Sequence, residues 1–540
     1  MTNFNYTNYH SNRTSPTAST PQSQPIKGDE DRMIKNSAGG YIFDVGPWTL
    51  LERFLILGTE GGTYYANERE HTLQATTTIQ KLVNTEGVKV VDFVVDISDK
   101  GRAPKQDPGL FVLAMCAGSE QVEARRAALK ALSKVARTAS TLFQFASYVE
   151  NFRGWGKLLK KTVANWYLDM DPQKLQYQMI KYQQRSGWSH QDLLRLSHPK
   201  AKTQEHNLLF AYACNKLDNQ DIIREIFPQL DAMLTIHTGK LTTNEICNLI
   251  YKHKMTREML PTELLNQPKI WEALLPHMPL TAMIRNLGKM SSIELLKDLS
   301  NTSKDVVNKL NNKEVLKKSR IHPVALYTAM KTYSQGKGIK GSLTWKPVNI
   351  VVDTLEDAFY NSFEYVEPTG KNFYLGIDVS ASMTWSPITG TPNMTPREAA
   401  ALMAMVTARV EPNYCIRAFT DKMIDLDITK RDSIDSITNK MRNLEFGRTD
   451  CALPMVDAIK NKLDVDAFVI MTDNETWCGD QHPMQTLKQY RNQFNKNSAL
   501  AVVAFTGTQF SIADPLDLRT LDLVGFDTTI PKLISDLARD

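Results

Sequence analysis

The hydrophobic pattern changes period once, near residue 370, and that change limits what this chain can fold into. Through residues 40–370, apolar residues recur three and four apart in Leu50–Leu57, Ala124–Val149, Leu175–Tyr182, Asp192–Leu196, Ile222–Leu234, Thr243–Tyr251, Ile270–Leu275, Leu280–Leu287 and Ile293–Leu299. That spacing lines one face of a helix. Breakers such as Gly101, Pro108, Pro172, Gly187, Pro199, Pro228, Pro261 and Pro276 fall between these stretches. Many short helices joined by short turns predict stacked helix pairs, an α-solenoid, although no strict repeat period is present. From residue 371 the texture differs. Phe373–Val379, Tyr414–Phe419, Ala467–Met471 and Ala499–Phe505 are unbroken apolar runs, as expected of strands buried on both faces. Helical stretches alternate with them at Pro396–Val410, Asp432–Arg442, Ala452–Lys462 and Met484–Phe494. Alternating β and α predicts a doubly wound, mainly parallel sheet whose binding site lies beyond the carboxyl ends of its strands.

The expected organisation is a polar tail over residues 1–30, a helical region over 31–370 and an α/β domain over 371–540. The tail is rich in Asn, Ser, Thr, Pro and Gln and nearly lacks aliphatic residues. It cannot bury enough apolar surface to offset its ordering entropy, so disorder is expected. No run of about 18 uncharged apolar residues occurs, which argues against a membrane span. No basic patch followed by an apolar run opens the chain, so a secretory leader is not expected. Six cysteines without a Cys-x-x-Cys pair fit a reducing, cytoplasmic location better than a disulfide framework or a zinc ribbon.

The net charge of +5 hides a split. Residues 371–540 hold 18 Lys and Arg against 22 Asp and Glu, whereas residues 1–370 hold 46 against 37. Residues 121–205 alone carry 15 basic and 6 acidic side chains. A local excess of this kind is the electrostatic footprint of a nucleic-acid binder, or else a solvated face with no partner. Within it, Arg126, Lys130, Lys134 and Arg137 are spaced four, four and three, on one helical face, with Leu129, Leu132, Val135 and Leu142 opposite. Such a stripe can follow phosphates or simply face water. Further on, Lys181 and Arg185 are four apart, which places them on one face of a helix. Ser189 with Asp192 reads as a capping box, and His198 stands before Pro199, where a helix should end. Cations with an imidazole can pair with phosphates and stack on bases; Trp188 reads as core.

The α/β region offers a second cluster. Its first strand runs into Asp378-Val379-Ser380-Ala381-Ser382, an Asp-x-Ser-x-Ser at a strand end. Gly447-Arg448-Thr449-Asp450 precedes a helix, and Phe468–Met471 ends in Thr472-Asp473. Each piece alone reads as an Asx turn, a helix cap or an ordinary strand-end acid. Together Asp378, Ser380, Ser382, Thr449 and Asp473 form a set of hard oxygen donors at one sheet edge, suited to a single Mg²⁺. In this order at buried strand ends they resemble the metal-ion-dependent adhesion site of von Willebrand factor A domains. No His stands near the serines and no Gly-x-Ser-x-Gly elbow is present, so hydrolytic chemistry is not expected. Gly58-Thr59-Glu60-Gly61-Gly62 lacks the Gly-Lys-[Ser/Thr] that would make it a phosphate-cradling loop.

Three long segments carry a wider resemblance: Arg53–Tyr65 (RFLILGTEGGTYY), Lys181–Lys200 and Pro279–Met290 (PLTAMIRNLGKM). They closely resemble the TROVE module of the Ro autoantigen family, and with the A-type domain the resemblance spans roughly residues 30–540. It implies a closed ring of HEAT-like helical repeats followed by a von Willebrand factor A-like domain. It also implies binding of small structured noncoding Y RNAs on a basic outer surface, with single-stranded 3′ ends of misfolded RNAs entering the ring hole, a role in RNA quality control. The family's Lys, Arg and His contacts to Y RNA match Lys181, Arg185 and His198. The chain departs from the family at Arg448, where a second glycine is common; this adds a cation beside the metal loop. The reading is therefore an RNA-binding scaffold, a monomer and not an enzyme. The alternative is a metal-dependent protein-binding scaffold that recruits a partner, such as a nuclease, through the A-type domain. A metal-dependent RNA hydrolase has least support, because no carboxylate pairs suited to two metals about 3.5–4 Å apart are evident.

Overall fold

The computed structural model describes residues 19–57, 68–103, 105–217, 220–339, 341–380, 383, 388, 394–442, 444, 447–505, 510–526 and 530–539. From Pro47–Leu57 to Asn349–Ser362 the chain is helical, and each helix packs mainly on the next two or three in sequence. Local chemistry sets many of the boundaries. Thr138, Ser189 and Thr242 each begin a helix with a reciprocal capping box, and Pro172, Pro228, Pro268 and Pro323 occupy first-turn positions. These caps satisfy backbone N–H groups that the helix leaves open.

Four expected segments differ from the structure. Ala124–Val149 is two helices, Val122–Val135 and Ala139–Val149, because Thr138 accepts from Thr141 N–H and starts a new one. Ile222–Leu234 divides into Gln220–Ile226 and Pro228–His237 at the proline. Ile293–Leu299 is a series of turns, with Glu294 and Leu299 at positive φ (61° and 63°). The helix carrying Lys181 ends there, and Arg185 stands on a two-stranded hairpin, Gln184–Arg185 with Trp188–Ser189. Ser186 and Gly187 supply its turn at φ 54° and 81°, as a tight hairpin requires. Lys181 and Arg185 therefore do not share a helical face.

The C-terminal sheet has the strand order Thr520–Val524, Ala499–Ala504, Ala467–Thr472, Asn372–Asp378, Asn413–Phe419, Met423–Asp425. All neighbours are parallel except the last, short pair. Leu375 is in register with Ile416 on one side and Val469 on the other. Asn372–Asp378 is first in sequence and central in space, so the strand order switches direction beside it. The expected strands are all present; three are largely buried, whereas in Asn413–Phe419 only Ile416, Ala418 and Phe419 are, because the short strand Met423–Asp425 beside it ends the sheet. Met423–Asp425 and Thr520–Val524 are additional; their short or half-polar runs carry no clear apolar signal.

The helical array docks on this domain at both ends. At its start, the buried Arg53 guanidinium pairs with Asp522 on the edge strand. At its end, Lys331 pairs with Glu398 at 2.8 Å, and the Arg409 guanidinium lies 4.7 Å from the Tyr360 ring centre and 5.4 Å from that of Phe363. Residues 19–30, expected to be disordered, are also seated on the α/β domain, whereas 1–18 lie outside the described residues. Gln22 is fully buried: its side-chain amide donates to Asp450 Oδ1 (2.7 Å) and the Gln481 carbonyl (2.9 Å), and its oxygen accepts from Thr476 Oγ1 (2.6 Å). Met33–Lys35 and Tyr41–Asp44 pair antiparallel, and the second also pairs with Phe510–Ser511. Gly40 allows this close seating, since a Cβ there would stand 2.2 Å from the Thr476 carbonyl oxygen.

All six cysteines are free thiols. Among the described residues no helix is long and apolar enough to cross a membrane.

One buried histidine makes the helical region acid-sensitive. His190 Nε2–H donates to the Tyr182 carbonyl (3.0 Å), which leaves Nδ1 to accept from the Tyr167 hydroxyl (3.0 Å). Burial lowers its pKa from 6.5 to about 4. The unfolded chain then binds the extra proton first as pH falls. The stabilisation is complete above pH 6.5 and is lost progressively as pH drops to 4, about 3 kcal/mol in all. Thermal melting against pH should show this slope, and His190→Gln should reduce it without abolishing it, because burial also lowers the His322 pKa from 6.5 to about 4; an unchanged slope would mean that His190 contributes nothing.

Candidate functional site

The carboxyl ends of three strands meet at the switch point. Asp378 ends the central strand and is buried; its Oδ1 accepts from Ser380 N–H (2.8 Å) and its Oδ2 from the Thr472 hydroxyl (2.8 Å). Burial, then the charge of nearby Asp473, raises its pKa, while the hydrogen bonds from Ser380 and Thr472 oppose the rise. Asp473 is buried one residue past Thr472, and its Oδ1 accepts from Glu475 N–H (3.1 Å). Thr449 is buried on the neighbouring loop, where its carbonyl accepts from Trp477 N–H (3.1 Å). The two loops are also joined by Cys451 N–H to Thr476 Oγ1 (3.0 Å), and Asp450 N–H donates to the Thr420 carbonyl (2.9 Å) on the loop after Asn413–Phe419. Asp378, Ser380, Thr449 and Asp473 thus occupy one sheet edge; Ser382 lies outside the described residues.

This set fits a divalent cation by its chemistry. Two buried carboxylates raise each other's cost of ionisation, and a dication between them removes that cost. No group of three or more His, Cys, Asp and Glu stands together among the described residues, so the remaining donors are hydroxyls. That composition suits Mg²⁺, which keeps several waters. Arg448 does not neutralise the site. Its guanidinium reaches Asp421 (3.4 Å) and lies 5.6 Å from the centre of a Trp477 ring, mostly exposed.

The sequence reading missed the positioning groups around the donors. Thr472 orients Asp378, and a hydroxyl residue between the strand and Asp473 was the available signal. Glu475 is buried, its pKa raised to about 7 by burial and the Asp473 charge, against a hydrogen bond from Ala38 N–H. Its partner comes from the N-terminal segment, which no local pattern links to this loop.

The basic residues lie elsewhere, on the helical region. Arg126, Lys130 and Lys134 are exposed on Val122–Val135, while Leu129, Leu132 and Val135 are buried behind them. Arg137 lies past the helix end and pairs with Asp99 (2.7 Å). Lys181 is half-buried: its Nζ donates to the Tyr177 hydroxyl (3.0 Å) and stands 5.1 Å and 5.3 Å from the ring centres of Tyr177 and Tyr182. Arg185 is exposed on a hairpin held to the helix Ala139–Val149 by Ser186 Oγ to Gln144 (2.8 Å). His198 is an exposed helix C-cap at φ 47°, where the helix was expected to stop. Ser189 and Asp192 form the expected capping box. Trp188 is half-buried against Trp155 and packs on the margin of the helical core.

Comparison with known proteins places this geometry. The model of the TROVE domain matches residues 34–231 and 250–332, and that of the Ro60 vWA domain matches residues 372–538. A curated relative from Deinococcus radiodurans, RNA-binding protein RO60, is 37% identical over 528 residues, covering 96% of this chain and 97% of its own. One of the same name from Caenorhabditis elegans is 33% identical over 583 residues, covering 94% and 90%. The crystal structure of the Deinococcus radiodurans RO (RSR) protein superposes with a TM-score of 0.75 at 37% identity, covering 92% of this chain and 99% of that one. Helical array, A-type sheet and near full-length identity agree, and this chain belongs to the Ro60 family.

Proposed function

We propose that this chain binds RNA, taking structured noncoding Y-type RNAs on the basic face of its helical region and single-stranded 3′ ends of misfolded RNAs in the hole of a closed HEAT-like ring. It acts as a non-enzymatic monomer in cytoplasmic RNA quality control. The observation that carries the reading is a set of uncompensated cations. Arg126, Lys130, Lys134, Lys181 and Arg185 have no carboxylate partner among the described residues, whereas Arg137 has Asp99. Phosphates supply the missing counter-charge. The names of the curated relatives point the same way. Gel-shift with a stem-loop RNA tests it: Lys181→Ala/Arg185→Ala should lower affinity about tenfold. Unchanged affinity would remove those residues from the interface.

The buried oxygen donors favour a second, compatible role. Asp378, Ser380, Thr449 and Asp473 would hold one Mg²⁺, which supplies an open position for a carboxylate of a partner protein, such as a nuclease. Chelation, or Asp378→Ala, should abolish capture of such a partner while RNA affinity stays unchanged. Loss of RNA affinity on chelation would instead place the metal in the RNA site.

A further inference from the structure

The chain that precedes the helical array, residues 19–45, is built into the oxygen-donor site of the sheet domain. Its anchor is Gln22, a fully buried side chain that bridges two donor loops at once. The amide nitrogen donates to Asp450 Oδ1 (2.7 Å), beside Thr449, and the amide oxygen accepts from Thr476 Oγ1 (2.6 Å), on the loop that carries Asp473. The Gln22 backbone N–H donates to the Gly479 carbonyl (2.9 Å). Gly479 is itself required for this seating, because a Cβ there would run into Gln22 Nε2 and the Asp450 carboxylate. A neutral amide that donates on one side and accepts on the other fixes the spacing of two loops and adds no charge to the site.

Two further contacts grip the Asp473 loop from the same strap. Asn36 is buried; its Nδ2 donates to the Thr476 carbonyl (2.7 Å) and its Oδ1 accepts from Gly40 N–H (2.8 Å). Ala38 N–H donates to the Glu475 carboxylate (3.0 Å), and Glu475 N–H donates in turn to Asp473 Oδ1 (3.1 Å). Hydrogen bonds thus run without a break from the strap to a donor carboxylate. The strap then continues through Met33–Lys35 and Tyr41–Asp44 into the helix Pro47–Leu57, which carries Arg53. The loops that hold Thr449 and Asp473 are therefore completed by a segment from the far end of the chain.

We infer that Gln22 and Asn36 are positioning residues for a divalent cation. Seating of the strap sets Thr449 and Asp473, and a cation held there keeps the strap seated. The inference rests on the cation reading of Asp378, Ser380, Thr449 and Asp473 given above. Residues that orient donor groups from outside govern cation affinity strongly, and two linked equilibria shift each other by the same factor. The test uses the full-length chain and Mn²⁺, which shares the preference of Mg²⁺ for oxygen donors. Mn²⁺ affinity is read by electron paramagnetic resonance, and strap seating by tryptic cleavage after the exposed Lys27. Gln22→Ala and Asn36→Ala should each weaken Mn²⁺ binding about tenfold. Saturating Mn²⁺ should slow cleavage of the wild type about tenfold and leave cleavage of Asp378→Ala unchanged. A strap that only braces the fold would lower the melting temperature and leave Mn²⁺ affinity alone; that outcome, or cleavage indifferent to Mn²⁺, overturns the inference. Should Gln22→Ala fail to fold, Asn36→Ala and the wild-type cleavage assay decide. Wild-type Mn²⁺ binding no tighter than that of Asp378→Ala overturns the cation reading and this inference together, whereas tight wild-type binding that both strap variants retain overturns the strap alone.

Discussion

Raising monovalent salt from about 50 to about 200 mM should weaken binding of a structured RNA by two to three orders of magnitude. Each cation that neutralises a phosphate releases a counterion, and the logarithm of affinity then falls with the logarithm of salt in proportion to the number of contacts. In the proposed complex Arg126, Lys130, Lys134, Lys181 and Arg185 would supply about five such contacts. Arg137 should add little, because Asp99 already holds it at 2.7 Å. The same logic ranks the variants. Lys130→Ala and Lys134→Ala should each lower the salt slope by about one and weaken all RNAs alike. Arg137→Ala should leave the slope nearly unchanged. Affinity measured at several salt concentrations checks both statements. A flat salt dependence would mean that shape or stacking, not this charged face, holds the RNA.

The second large effect concerns the closure of the helical array on the sheet domain. Arg53 is buried, and its guanidinium also reaches the Phe510 carbonyl (3.4 Å) while Ser511 Oγ donates to the other oxygen of Asp522 (2.6 Å). Every polar group of this knot is desolvated. Arg53→Met would leave Asp522 charged and unpaired in the interior, at a cost of about 3–5 kcal/mol. Arg53→Met/Asp522→Asn should recover much of that loss, since no uncompensated charge then remains. Urea unfolding of the single and double variants reads the difference. Equal stability of Arg53→Met and wild type would show that water reaches Asp522.

The loops around Asp378 illustrate what local chemistry specifies. Asp378, Thr449 and Asp473 were legible because each follows a buried apolar run or opens a helix, and strand ends of a parallel sheet converge. Thr472 was not, since its hydroxyl matters only once the neighbouring strand places it 2.8 Å from Asp378. Arg448 misled in the other direction: sequence adjacency put a cation beside the site, and the side chain turned instead to Asp421 and Trp477. On the basic face the periodic helix Val122–Val135 was legible. The break at Thr138 and the hairpin at Arg185 were not, because short hydroxyl caps and a Ser-Gly turn outweighed the helical spacing.

The sequence alone determined the class of the long elements: where apolar spacing is helical and where runs are strand-like. Those choices depend on interactions within a few residues. Only the tertiary structure decided which distant segments meet. Gln22 lies against the loop after Asp473, Arg53 against Asp522, and Trp345 against Gly288. Such contacts depend on packing and desolvation between surfaces far apart in the chain, and no local pattern records them.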